Sequence, residues 1–111
     1  MNAAPNPADC SNLDEIRAGM DAVDRQIVAL LARRVEYVRN AARFKTSAAN
    51  VAAPERVAAV LNTRREWAEA AGIDGSVVET LYRELVTYCV SEEHRRWHEL
   101  NPHPQLSAEI P

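Results

Sequence analysis

Apolar residues recur every three or four positions along the first half of the chain: Leu13, Ile16, Met20, Val23, Ile27, Leu30, Leu31, Val35, Val38 and Ala42. That period puts them on one face of a helix. No glycine or proline stops the pattern before Lys45, although Gly19 lies inside it, at a cost of up to about 1 kcal/mol against alanine. Two capping signals precede it, Ser11 three before Asp14 and Asn12 three before Glu15, and either can start the helix. The pattern therefore predicts one helix ending near Lys45, roughly 50 Å long at 1.5 Å per residue. Thr46 to Ala53 has no stripe and reads as a loop. A second helix opens at Pro54, where the missing N–H costs nothing. Its stripe is Val57, Val60, Leu61, Trp67, Ala68 and Ala71, and Gly72 closes it. A third is capped by Asp74 or Ser76 and runs to about Glu99, with Val78, Leu81, Tyr82, Leu85, Val86, Cys89, Val90 and Trp97 on its stripe. The fold class is all-α, one long helix and two shorter ones. It spans residues 11–99, between proline-punctuated tails, 1–10 and 100–111, expected to be disordered.

The first helix is too long for its surroundings. A globule of 100 residues has a radius of gyration of about 13 Å, so a helix of roughly 50 Å would leave much of its stripe in water. The later helices are too short to cover it. Two such helices paired lengthwise solve the problem, so the pattern predicts a homodimer.

Composition narrows the reading. The chain has 111 residues, one domain's worth, and a net charge of −3, which disfavours a general nucleic-acid binder. No apolar run approaches a membrane span, and the first ten residues lack the basic and apolar regions of a secretory signal. Cys10 and Cys89 are too few and too far apart for a disulfide framework, which points to reduced thiols and a cytoplasmic protein. His94 and His98 are spaced i, i+4, but no third ligand accompanies them, so no metal and no cofactor is expected.

The charged residues carry the chemistry. On a continuous helix the eleven steps from Arg34 to Lys45 turn through about 1100°, three turns plus roughly 20°. Both cations would leave the same side, with Val38 and Ala41 as a small apolar floor between them, a shape suited to a compact anion. Lys45 is the only lysine in the chain. It supplies a point charge where arginine supplies a planar fork. Arg33, Arg39 and Arg43 read as a solvated face. In the third helix Glu93 stands where the stripe calls for an apolar residue. Either it lies at the solvent edge and pairs with an arginine, or it is buried and needs a cation beside it or a proton on it. Trp67 and Trp97 read as packing residues.

The segments YVRNAARFKTS and APERVAAVLNTRREWAEAAGID resemble the isochorismate-pyruvate lyase branch of the all-helical chorismate mutase family, a likeness that extends from residue 9 to about 98. The resemblance implies an intertwined dimer with two equivalent sites. It maps Arg34 and Lys45 to ligand-binding cations of the first helix, Arg56 to the arginine after the loop, and Arg17 to one reaching in from the partner chain. Geometry agrees with the last: Arg17 and Arg34 would be roughly 25 Å apart along one helix, too far to share a small ligand. Val38, Val57 and Val90 fall at lining positions. Two departures matter. Mutases of the family carry Arg-Glu after the loop and an acid three residues before that arginine, whereas this chain has Arg56-Val57 and Ala53, which the resemblance implies is the lyase pattern. Glu93 also replaces the family's usual glutamine. As a carboxylate it would repel a dianion, and protonated it would donate a hydrogen bond as glutamine does.

Both family reactions are pericyclic within one bound dianion and need neither nucleophile nor metal. The resemblance implies arginine forks for the two carboxylates, and Lys45 and Glu93 at the ether oxygen. Three readings follow: a lyase making salicylate and pyruvate from isochorismate, with weak mutase activity; a mutase acting on chorismate or an amino analogue; or a non-catalytic helical dimer that binds a partner.

Overall fold

Asn12 is the cap that forms. Its Oδ1 accepts from the Glu15 N–H at 2.9 Å, while Glu15 Oε1 accepts from the Ser11 N–H at 2.7 Å, so one orphan donor of the first turn and the donor just ahead of the cap are satisfied. In this computed structural model, which describes residues 5–102, the helix so begun is α1, Leu13–Ala41. A 3-10 turn follows at Ala42–Phe44, then α2 (Ala48–Ala52), α3 (Pro54–Ala70) and α4 (Gly75–Leu100). No strand occurs among the described residues, and no helix among them is long and apolar enough to cross a membrane. The chain divides into two units, Met1–Glu36 and Tyr37–Pro111.

The first unit contains most of α1, preceded by a 3-10 turn at Pro7–Asp9. Asn6 caps that turn by accepting from the Ala8 N–H at 3.0 Å. Of the tails expected to be disordered, residues 1–4 and 103–111 lie outside the described residues. A groove of about 260 Å³ between the turn and the helix is lined by Pro5, Pro7, Cys10, Ile16, Met20 and Val23. Most of the α1 stripe stays uncovered in the single chain: Leu13, Met20, Val23, Ile27 and Leu30 are each at least 42% exposed.

The second unit corrects the reading of Lys45. α1 stops at Ala41, not at Lys45. The three residues after it tighten into a 3-10 turn, and Lys45 itself is extended, φ −92° and ψ 137°. Its N–H donates to the Ala42 carbonyl at 3.2 Å and its carbonyl accepts from the Trp97 indole N–H at 3.0 Å. An interhelical partner for that carbonyl replaces the helical ladder, so the chain leaves the helix here. The constant 100° rotation from Arg34 to Lys45 therefore does not hold.

The segment read as a loop is also structured. Ser47 caps α2 by accepting from the Asn50 N–H at 3.3 Å. Val51 of α2 packs with Ala42 and Trp97, all under 4% exposed, to form the tightest cluster of the unit. A stripe of one buried residue in a five-residue helix is too short for periodicity to register. Ala53, between α2 and α3, has φ 38°, a left-handed conformation that costs a non-glycine residue roughly 1–2 kcal/mol.

α3 starts at Pro54 and ends in a Schellman cap. The Ile73 N–H reaches the Ala68 carbonyl at 2.9 Å and the Gly72 N–H reaches that of Glu69 at 3.1 Å. Gly72 takes φ 82°, open to glycine alone without strain. Val60, Leu61 and Ala68 are buried. Trp67 is not a packing residue within the chain: it is 60% exposed, with the Arg64 guanidinium 4.4 Å above its ring. Leu81 is likewise exposed. α4 is capped by Asp74, whose Oδ1 accepts from both the N–H and the hydroxyl of Ser76, and those bonds hold the Asp74 carboxyl below the usual range. α4 packs on α3, α2 and the 3-10 turn, burying Val86, Cys89 and Trp97.

Candidate active site

Glu93 and Trp97 are one helical turn apart on α4, so both face the 3-10 turn and Lys45. Glu93 is buried, at 8% exposed, which excludes the solvent-edge reading. Its partner is the lone lysine and not an arginine: Lys45 Nζ is 3.0 Å from Glu93 Oε2. A buried carboxylate needs such a cation. The contact lacks the angles of a hydrogen bond, and Oε2 has none among the described residues. Lys45 Nζ donates instead to the Asn50 carbonyl at 3.3 Å. An ammonium has three N–H donors. One goes to Asn50 and the charge faces Glu93, which leaves a direction open on a side chain 26% exposed.

Val38, Val57 and Val90 are half-buried, while Arg56, in the first turn of α3, is exposed. No ion pair or hydrogen bond occupies the Arg56 guanidinium among the described residues, and the same is true of Arg17 on α1. Arg34 is half-buried. Arg17 and Arg34 belong to the first unit; Val38, Lys45, Arg56, Val57, Val90 and Glu93 belong to the second.

Asn50, which carried no sequence signal, Trp97, read as a packing residue and buried as such, and Arg39 all contact this region. Asn50 holds the ammonium by its carbonyl, and its side chain donates to Thr46 Oγ1 at 2.8 Å. Trp97 holds the Lys45 carbonyl. Arg39, read as solvated, binds Glu92 Oε1 through Nε and Nη2 at 3.1 and 2.8 Å, and so ties the last turn of α1 to α4 beside Glu93. No sequence signal separates Arg39 from its neighbours, because the pairing spans 53 residues. Arg43 does lie outward, its guanidinium 4.8 Å over the Phe44 ring. His94 and His98 stack at 6.3 Å between ring centroids.

Hydrogen bonds from Arg95 and Arg39 hold the Glu92 carboxyl below its usual range. A depressed carboxyl stabilises the fold above its unfolded value, near pH 4.3, and loses that contribution as pH falls through its folded value. Glu92→Gln should therefore be less stable than the parent at neutral pH. The difference should shrink as the pH drops from about 5 toward 2. Denaturant midpoints across that range test it, and a constant difference would leave the ion pair without a role in stability.

The family model for chorismate mutase type II matches residues 16–94. The chain belongs to the chorismate mutase type II family. Its fold is accordingly the all-helical one of that family. The isochorismate pyruvate lyase of Pseudomonas aeruginosa is 44% identical over 91 residues, which cover 82% of this chain and 90% of that protein. The T-protein of Haemophilus influenzae is 32% identical over 84 residues, 75% of this chain but 22% of that protein. That of Enterobacter agglomerans is 31% identical over 85 residues, 76% of this chain and 23% of its own length. Lys45, Glu93, Val38, Val57, Val90, Arg56, Arg17 and Arg34 all fall within the part of this chorismate mutase type II chain that the family model matches.

Proposed function

We propose that the protein is an isochorismate pyruvate lyase that works as a homodimer with two equivalent sites. The observation that carries the reading is the Lys45 ammonium, fixed by Glu93 and Asn50 with one donor direction open. It stands in a chain 44% identical to an enzyme of that name over nearly its full length. The reaction breaks the enolpyruvyl ether C–O bond while a ring hydrogen passes to the enolpyruvyl methylene, leaving salicylate and pyruvate. The protein supplies a reactive conformer and stabilises charge on the ether oxygen. Lys45 donates to that oxygen, with Glu93 orienting the ammonium. Arg34, Arg56 and a partner chain's Arg17 clamp the two carboxylates, while Val38, Val57 and Val90 line the ring. The guanidinium groups of Arg17 and Arg56, unoccupied among the described residues, support this assignment. The reduced thiols Cys10 and Cys89 fit a cytoplasmic enzyme.

A second reading is chorismate mutase, on chorismate or an amino analogue whose amine Glu93 would suit. It is favoured by the family match alone. Against it stand Val57 and Ala53, where mutases of the family carry acids. Incubating the purified protein with isochorismate and with chorismate decides between them. Salicylate with pyruvate is the expected outcome. Prephenate alone would establish the mutase, and neither product would leave a non-catalytic helical dimer.

A further inference from the structure

Lys45 does not get its position from helix geometry, because it lies beyond the end of α1 in an extended conformation. An extended residue on a connecting segment has backbone freedom that a helical one lacks. Something must fix its carbonyl and Cα before the ammonium at the end of a four-carbon stem can be fixed. α4 does this at two points. Glu93 faces the ammonium at 3.0 Å and Trp97, one turn on, donates its indole N–H to the Lys45 carbonyl at 3.0 Å. Trp97 is 3% exposed and locked by Ala42, on the turn before Lys45, and by Val51, on the helix after it. Val51 is adjacent to Asn50, whose carbonyl takes the ammonium. A buried indole N–H requires an acceptor, and here that acceptor is the backbone of the one lysine in the chain.

We propose that Trp97 is a positioning residue for Lys45: its indole N–H fixes the lysine's backbone so that Glu93 and Asn50 can aim the ammonium at the substrate. The inference rests on the catalytic assignment of Lys45 above. Trp97→Phe keeps an aromatic ring and removes the N–H. Turnover should fall about tenfold with KM changed less than twofold, since a displacement well under 1 Å is costly to a reacting geometry. In a Lys45→Ala background the same substitution should have no further effect on kcat, because there is no ammonium left to aim. Equal losses in both backgrounds, or no loss in the parent, would overturn the proposal. Should the phenylalanine variant not fold, benzothienylalanine at position 97 preserves the bicyclic shape and lacks only the donor, and the same outcomes apply. A second measurement is independent of catalysis. Reductive 13C-methylation labels Lys45 as the only side-chain amine, and its methyl resonance should move when the Trp97 donor is removed. An unmoved resonance would refute the coupling between Trp97 and Lys45. Near-normal turnover by Lys45→Ala would instead refute the catalytic role of Lys45, an outcome separate from the resonance result.

Discussion

Replacing Lys45 with alanine should slow turnover about 150-fold, the equivalent of roughly 3 kcal/mol of lost barrier lowering, the scale of removing one oxyanion donor. In the proposed mechanism Lys45 has two roles. Its ammonium is the cation beside a buried carboxylate. Removing one member of such a pair leaves the other charge without compensation and destabilises the fold. Low activity in Lys45→Ala could then reflect lost structure and not lost chemistry. Glu93→Gln in the same chain separates the two. With the carboxylate gone, the fold needs no cation at that point, so the double variant should regain most of the thermal stability that Lys45→Ala loses. Turnover should not return with it, because glutamine restores no positive charge. Single-turnover kinetics beside thermal melts of the parent, both single variants and the double variant test this. If the double variant recovers stability and turnover together, Lys45 is a structural residue and the proposed mechanism has no donor at the ether oxygen.

The outlines of the fold were legible in the sequence because each helix carries its own local signals. Asn12 with Glu15, Pro54, Gly72 and Asp74 mark helix ends within two or three residues of where they fall. Lys45 stands out in the sequence as a chemical group, but the helical position expected for it is wrong. The periodic pattern runs through Ala42, but Ala42 is buried against Val51 and Trp97 and not along a straight helical stripe. Periodicity reports that a residue is buried, not what it is buried against. The same limit hid Trp97 and Arg39, whose partners lie 52 and 53 residues away. Glu93 was visible because it violates the pattern, and the structure supplies what the violation required, a cation at 3.0 Å. Asn50 was missed because its contribution is a backbone carbonyl, which every residue has.

A charge placed on the stripe of α1 should abolish activity. Ile27 and Leu30 are one helical turn apart on α1, 48% and 65% exposed within the single chain. Fully burying one such side chain stabilises by about 1.5–3 kcal/mol. Met20 and Val23 lie along the same face with them, each more than 40% exposed. A face of this length, left in water, would favour aggregation; pairing with a second copy would remove it. In the proposed dimer Arg17 of one chain would reach the other's site, which a single helix cannot do with its own Arg34 across roughly 25 Å. Ile27→Glu would place two like charges in that interface, one from each chain. Sedimentation should then show monomer at concentrations where the parent is dimeric, and turnover should vanish in parallel. Mixing supplies the decisive arm. Arg17→Ala and Lys45→Ala subunits, each strongly impaired alone, should form heterodimers in which one site takes an intact Arg17 from the Lys45-deficient chain and an intact Lys45 from the other. Recovery toward a quarter of parental activity is the expected statistical result, since half the dimers are mixed and each holds one complete site of two. No recovery, with heterodimers present, would mean that each chain builds its site from its own residues alone.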